Sequence, residues 1–308
     1  MDPFDDRPLG ARVASLLSEG PANGQALAEC FGVSRQAIWK AIQALKAEGV
    51  PVESTPQGYS LGRGGYGPLS LSWRCERPVV FFEQTDSTNR QAFQLGLDGA
   101  ESGTLVVAET QSAGKGRLGR SWRSLPGKNL AFSLLLRPPL PPEMAPLLSL
   151  ATAVGIGEVT GLPIKWPNDV LAPDGRKAAG ILAELHAEVG RLHFVVLGVG
   201  INVHAQEFPD DIPGTSLAEQ FPTRDWDRAE LLGGVVARIE SRCAQLSSNP
   251  DKVLDAWRAQ SATLGKRVRV GQVEGIAVDL RQDGALIVET GTGRVPILAG
   301  DVQMVSAR

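Results

Sequence analysis

Two apolar runs, KAAGILAEL (Lys177 to Leu185) and RLHFVVLGVGINV (Arg191 to Val203), are joined by a turn carrying Gly190 and preceded by one carrying Asp174-Gly175. Connections this short cannot hold the crossover that parallel neighbours need, so the runs must pair antiparallel. Around them lie the strand-like stretches VVFFE from Val79, TLVVAET from Thr104, NLAFSLLLR from Asn129 and LPIKW from Leu162. Helices open at DSTNRQAF, cross PLLSLATAVGIGEV, and follow around Trp226 to Leu246 and Asp251 to Ala259. The pattern predicts an α+β fold and excludes a doubly wound parallel sheet.

The two ends differ from this centre. RVASLL, NGQALAECFG and SRQAIWKAIQALKAEG read as three helices, with a tight turn at Gly32-Val33 and Ser34 as the N-cap of the third. Ala26, Leu27, Phe31, Val33, Ile38, Ile42 and Leu45 form a small core, leaving Arg35, Gln36, Trp39, Lys40 and Gln43 on other faces. That is a helix-turn-helix whose second helix is available to a major groove. VPVESTPQGYSLG adds two short strands about Pro56-Gln57-Gly58, a wing, and the glycine-rich Gly62 to Ser70 follows as a linker. From Gly265 the tail is short strands and turns, including Asp283-Gly284, as in a small SH3-like β-barrel. The expected domains are residues 1–66, 71–262 and 263–308.

A chain of 308 residues accommodates this division, and its net charge of −3 supplies no global basic field, so any nucleic-acid contact is local. Cys30, Cys75 and Cys243 are an odd number without a CxxC pair, which points to reduced core thiols. His186, His193 and His204 lie at no metal-ligand spacing and read as structural. The acidic N-terminus does not resemble a signal peptide and no apolar run is long enough for a membrane span, so a cytoplasmic protein is expected.

AETQSAGKGRLGRSW, from Ala108 to Trp122, contains Gly114, Gly116 and Gly119 at GxGxxG spacing. A dinucleotide fingerprint needs a helix opening at that turn and a later acidic partner for the ribose. Here the loop runs through Arg120, Ser121 and Trp122 to another strand, and the Walker A pattern is absent too. What it offers is Lys115, Arg117 and Arg120 on a hinge of glycines, suited to a polyanion that arrives and leaves, or simply to a solvated basic loop. TDSTN places Ser87, Thr88 and Asn89 at a helix start, as a site or as a cap. KWPNDV places Trp166, Asn168 and Asp169 about a proline turn, as a site or as a hairpin corner. In RKAAGIL, Lys177 beside Ala178, Ala179 and Gly180 can lay its charge against a ligand on the strand.

Together and in this order, TDSTN, AETQSAGKGRLGRSW, KWPNDV, RKAAGIL and GVGINV resemble the biotin protein ligases, or biotin–acetyl-CoA-carboxylase ligases. With the helix-turn-helix, the chain resembles the bifunctional ligase and biotin-operon-repressor members along nearly its whole length. The resemblance implies a central mixed-sheet domain like that of class II synthetases. It implies that biotin and Mg-ATP give biotinyl-5′-AMP, whose carboxyl a lysine of the biotin carboxyl carrier protein of acetyl-CoA carboxylase then attacks. Arg117 and Lys177 are the implied catalytic cations. Biotin is expected at Ser87, Thr88, Asn89, Gln111, Lys115, Gly116, Arg117, Lys177 and Gly180. ATP or the adenylate is expected at Gly114, Arg120, Trp122 (the adenine-stacking face), Asn168 and Asn202 (an adenine hydrogen bond), with Asp169 helping to place Mg2+. Operator DNA is expected at Ser34, Arg35, Gln36, Lys40 and Gln43, bound by a homodimer formed in the adenylate-bound state.

Lys115 and Leu118 stand where some members carry arginine, and Leu118 is expected to pack over bound adenylate. The loop is expected to be disordered without ligand and ordered with it. Across Met1 to Tyr66 acidic and basic residues nearly balance, and Trp39 is bulky for a groove-facing helix, so a helix-turn-helix without an operator stays open. Two further readings stay open: a DNA-binding biotin sensor with little turnover, and a lipoate-type acyl ligase, against which GKGRLGRSW stands.

Overall fold

The computed structural model describes residues 8–47, 50, 52–61, 71, 75, 77–205, 208 and 213–305. The chain divides into two compact units, Met1–Phe81 with Asp227–Gly234, and Phe82–Trp226 with Val235–Arg308.

In the first unit, α1 (Leu9–Glu19), α2 (Gly24–Phe31) and α3 (Arg35–Ala47) precede the antiparallel hairpin of β1 (Val52–Thr55) and β2 (Gly58–Leu61). Asn23 caps α2 by accepting from the amides of Gln25 and Ala26, and Gly32, at φ +63°, ends it in the left-handed region that glycine enters without penalty. Ser34 Oγ accepts from Ala37 N at 3.1 Å, the expected cap of α3. Val13, Leu17, Leu27, Ile38, Ile42, Leu45 and Val52 are buried together, with Phe31 and Val33 packed against them. Each such aliphatic side chain contributes roughly 1.5–3 kcal/mol on burial. The wing is fastened by paired 2.9 Å hydrogen bonds between Ala22 and Tyr59.

In the second unit a seven-stranded sheet runs in the order β3 (Val79–Thr85), β4 (Leu105–Gln111), β5 (Asn129–Leu136), β9 (Arg191–Asn202), β8 (Lys177–Glu188), β7 (Asp169–Leu171), β6 (Ile164–Lys165). From β4 onward every neighbour is antiparallel, as the short turns require. Thr110 Oγ1 donates to Glu83 O and Ser112 N to Thr85 O, contacts that advance together along both strands, so β3 lies parallel to β4. Helix α4 (Thr88–Leu97) makes that crossover, and the sheet is mixed. Helix α5 (Ala145–Thr160) is buried nearly all round, which explains its almost uniformly apolar sequence. Further helices are α6 (Leu217–Gln220), α7 (Arg228–Ser248), whose first residues up to Gly234 belong to the first unit, and α8 (Pro250–Ala259).

The tail forms β10 (Arg267–Val270), β11 (Val273–Leu280), β12 (Leu286–Thr290), β13 (Gly293–Ile297) and β14 (Gln303–Met304), a five-stranded antiparallel sheet edged by β13 and β14. It is fastened to the seven-stranded sheet by Trp166, whose backbone N donates to Thr263 Oγ1 at 2.9 Å and whose Nε1 donates to Gly284 O at 3.0 Å. No helix among the described residues is long and apolar enough to cross a membrane.

The cysteines correct one expectation. Cys75 and Cys243 are buried, and burial pushes the Cys243 thiol up to about 12, but Cys30 is exposed on α2. It is exposed to solvent and lies outside the buried cluster that takes in Leu27 and Ala28.

Candidate functional site

The sheet carries a bare patch where β8 and β9 meet. Gly180 pairs with Gly200, and Leu182 with Gly198. A Cβ on Gly198 would stand 1.9 Å from Asn89 Oδ1, and one on Gly200 2.2 Å from the Trp122 ring. Glycine is therefore required for Asn89 and Trp122 to lie directly on the strands.

Above this patch the start of α4 meets the end of β4. Ser87 occupies the N-cap position but its hydroxyl makes no capping bond; Asp86 accepts from Ser87 N instead, at 2.7 Å. That backbone hydrogen bond is the largest influence on the Asp86 carboxyl and holds it below its ordinary value. Thr88 N donates to Gln111 Oε1 at 2.8 Å, and Gln111 Nε2 donates to Ser124 Oγ at 3.1 Å. The Asn89 side chain bonds Leu182 O, Glu184 and Ser133.

The glycine loop folds back as a flap. Gly116 N donates to Arg120 O at 2.7 Å, Trp122 N donates to Gly114 O at 2.9 Å, and Lys115 pairs with Ser121. Its tip is one 3-10 turn, Arg117–Gly119, with no helix behind it, as the sequence implied. Leu118 has φ +57° and is 73% exposed at the rim of the flap. Arg117 donates to Asn168 Oδ1 at 3.0 Å and to Gly300 O at 3.4 Å, while Asn168 Nδ2 holds Ile181 O at 2.9 Å. Arg120 pairs with Asp301. Burial acts to raise the Asp301 carboxyl, but Arg120, with Lys165 and Arg117 behind it, holds it below its ordinary value.

Two adjoining cavities result. The narrower, about 50 Å³, is lined by Ser87, Thr88, Asn89, Gln111, Lys115, Gly116, Arg117, Trp122, Asn168, Lys177 and the glycine patch. The wider, about 670 Å³, shares Gly116, Arg117, Trp122, Asn168 and Lys177, and adds Arg120, Lys165, Asp169, Asn202, Phe208, Asp301 and Met304. Trp122 Nε1 is buried in the shared wall without an acceptor. Cations thus gather where the cavities join, and an apolar glycine floor continues beneath them. Of the expected site residues in this unit only Gly114 lines neither cavity; it forms the neck of the flap, where a Cβ would meet Trp122 O at 2.7 Å.

Two expected site residues also have protein partners. Asn202 Oδ1 accepts from Asn129 Nδ2 at 2.9 Å and its Nδ2 donates to Thr215 O at 3.1 Å and Lys177 O at 3.4 Å, bonds that hold its amide in the wall of the wide cavity. Asp169 Oδ1 lies 2.6 Å from Lys177 Nζ, with Lys165 Nζ 3.9 Å from Oδ2. No cluster of three His, Cys, Asp or Glu that could hold a metal occurs among the described residues. Asp169 is a single carboxylate, a donor that suits Mg2+ shared with substrate phosphates and not an all-protein cage.

The chain matches the biotin/lipoate A/B protein ligase family over residues 81–202, a helix-turn-helix domain over 13–60, and the biotin protein ligase C-terminal domain over 263–305. It is 34% identical to the bifunctional ligase/repressor BirA of Bacillus subtilis (strain 168), over 92% of this chain and 93% of that protein. The chain belongs to the bifunctional biotin protein ligase/repressor family. The biotin–[acetyl-CoA-carboxylase] ligase of Mycobacterium tuberculosis is 37% identical over 73% of this chain and 88% of its own length. Among solved structures, the biotin protein ligase of Aquifex aeolicus in complex with biotin and ATP superimposes with a TM-score of 0.61 at 30% identity, covering 74% of this chain and 99% of that one.

For a bifunctional biotin protein ligase the histidines stay structural: His204 Nε2 bonds Trp226 O at 2.9 Å, and His186 and His193 stack 5.1 Å apart away from the cavities. Sequence reasoning missed Lys165, Phe208 and Asp301. Lys165 lies inside KWPND and was within reach; Asp301 is in the tail module, with no local motif to mark it. In the first unit Ser34, Arg35, Gln36, Lys40 and Gln43 are all exposed on α3 and its cap. Trp39, 54% exposed, lies among them.

Proposed function

We propose that this bifunctional ligase activates biotin with ATP to biotinyl-5′-AMP and transfers biotin to a lysine of the biotin carboxyl carrier protein of acetyl-CoA carboxylase. The observation that carries the reading is the convergence of Arg117 and Lys177 on the junction of a narrow cavity and a wide one. The narrow cavity suits the biotin head, held by Ser87, Thr88 and Gln111; the wide one has the volume of a small-molecule site and suits the nucleotide. At the junction a carboxylate must approach an α-phosphate and a pyrophosphate must leave. Cations fixed there relieve the repulsion and stabilise the developing charge. Arg117 is oriented by Asn168, and Lys177 by Asp169.

Biotin and ATP are the substrates in this reading. Mg2+ belongs to it only as the companion of the ATP phosphates, and no step is assigned to a protein-held ion. The adenylate supplies its own leaving group and the carrier lysine is the nucleophile, so no nucleophilic side chain is required. Trp122 covers the glycine patch and forms part of the wall shared by the two cavities. Residues 1–66, 71–262 and 263–308 serve as DNA-binding, ligase and SH3-like modules. The exposed face of α3 supports adenylate-responsive repression of biotin genes by a homodimer, which doubles the phosphate contacts available to a nearly neutral module.

Purified full-length protein with biotin, ATP and a carrier domain tests the ligase: a mass shift of the carrier by one biotinyl group is expected. Preference for lipoate over biotin, or tight biotin binding without transfer, overturns it. A gel shift on the promoter of a biotin operon tests the repressor, with retardation expected only when biotin and ATP are both present.

A further inference from the structure

A chain of hydrogen bonds begins at the narrow cavity, passes through buried Ser133 and Asn89, and ends outside it at the exposed Glu184. Asn89 Nδ2 donates to Glu184 Oε2 at 2.7 Å and to Leu182 O at 3.2 Å. A carboxylate and a carbonyl only accept, so the amide has one orientation and its Oδ1 must face Ser133. Ser133 Oγ, fully buried, lies 2.6 Å from Asn89 Oδ1 and 2.8 Å from Thr88 Oγ1. Ser133 has one proton, and Asn89 Oδ1 has none, so that proton goes to Asn89.

Thr88 Oγ1 is then left between two oxygens that offer it only lone pairs: Ser133 Oγ at 2.8 Å and Gln111 Oε1 at 3.2 Å. Gln111 Oε1 is fixed as an acceptor by Thr88 N. The Thr88 proton therefore points into the protein whichever oxygen takes it, the shorter contact favouring Ser133. Toward the cavity Thr88 Oγ1 presents lone pairs alone.

We infer that Glu184, exposed on β8 and outside both cavities, is a positioning residue that sets this hydrogen-bond polarity through Asn89 and Ser133, so that Thr88 accepts a hydrogen bond from an N–H of the ligand. The inference rests on the biotin reading above, in which the donor is a ureido N–H. In a buried relay each member's direction is dictated by the next, and a hydroxyl turned the wrong way leaves two lone pairs or two protons facing each other. A single outer acceptor can thus decide what the inner end recognises.

The test is calorimetric biotin binding without ATP, followed by carrier-biotinylation kinetics, on full-length Glu184→Gln, Glu184→Ala and Glu184→Lys. Biotin and biotins N-methylated at either ureido nitrogen are the ligands. Gln keeps an acceptor for Asn89 and should bind within about threefold of wild type. Ala leaves only Leu182 O, and Kd and KM for biotin should rise about tenfold, with kcat and KM for ATP close to wild type. Lys presents a donor, turns the amide over and reverses the relay; it should bind biotin least and lose most of the preference for biotin over the N-methylated ligands. A role confined to folding would lower Tm and the active fraction while leaving KM for biotin and the ligand preference unchanged. That result, or a Lys variant that binds like Gln, overturns the inference. Wild type that fails to bind biotin overturns the biotin reading itself, and the inference with it.

Discussion

Lys177 Nζ lies 2.6 Å from Asp169 Oδ1, on adjacent strands β8 and β7, with both side chains mostly shielded from water. The carboxylate holds the ammonium folded back over Gly180, at the junction of the two cavities. Lys177→Ala should reduce adenylate formation by roughly 10²-fold or more, the scale seen when one preorganised charge-stabilising group is removed. Biotin binding without ATP should change far less. Pyrophosphate release measured alongside biotin affinity checks this; equal losses in both would assign Lys177 to ground-state binding. Asp169→Asn should weaken turnover less than Lys177→Ala, since the ammonium remains but is no longer held.

The bare glycine patch predicts a different pattern. Gly200→Ala puts a methyl 2.2 Å from the rigid Trp122 ring and should displace it, costing about 1–3 kcal/mol of stability and more than tenfold in biotin affinity. Gly180→Ala meets the flexible end of Lys177 at 2.8 Å and the Trp122 ring at an ordinary contact distance of 3.5 Å, and should fold like wild type while losing turnover. Thermal melts and biotin titration of the two variants separate them.

These glycines also show how far the sequence could be read. GVGINV and RKAAGIL marked the site, and short turns predicted the antiparallel order around it, because both are local signals. The helix-turn-helix core was legible for the same reason: helical periodicity and caps are written in neighbouring residues. Ser133 and Asn129 were not, since a polar residue inside the apolar run NLAFSLLLR shows its purpose only when Thr88, Asn89 and Asn202 come to it from other elements. Asn202 and Asp169 were assigned to ligands because their types suit that chemistry; their protein partners, Asn129 and Lys177, were not legible because they come from other elements. Asp301 joins the flap from far along the chain, a tertiary fact without a motif.

Asp301 gives a pH prediction. Its carboxyl is held below the ordinary value of 3.8 in the fold, so its pairing with Arg120 contributes fully above that value and is lost as pH falls through the lower folded value. Asp301→Asn should therefore lower Tm by a constant amount from neutral pH down to about pH 5, and the difference should vanish in stronger acid. Both side chains are a third or more exposed, so the effect should stay below about 1 kcal/mol. Melts of the two proteins across that range check it; a gap that grows in acid would contradict the pairing.

The flap predicts a footprint. Lys115 and Arg117 lie in a segment closed by few hydrogen bonds, with Leu118 outward, and a bound acyl-adenylate would add partners to both cations. Trypsin cleavage after these residues should slow at least several-fold when biotin and ATP are present together, as a segment ordered by its ligand does. Unchanged cleavage would count against closure. Biotin alone should protect less than the pair.

On α3 the exposed residues divide by chemistry, and this gives the last prediction. Lys40 carries a charge suited to phosphate, whereas Gln36 and Gln43 carry amides suited to base edges, and Trp39 sits between them with an apolar face. Lys40→Ala should weaken DNA binding about equally for all sequences and reduce the slope of log K against log salt by about one. Gln36→Ala or Gln43→Ala should leave that slope nearly unchanged and narrow the preference for operator over random DNA. Trp39→Ala discriminates further. If the ring contacts thymine methyls or sugars in the groove, the variant loses operator affinity while keeping its Tm, because none of the buried core residues of the module is altered. If the ring instead serves another surface, operator affinity is unchanged and the salt slope with it. Gel shifts at three salt concentrations, on operator and random duplexes, resolve all four variants in one experiment.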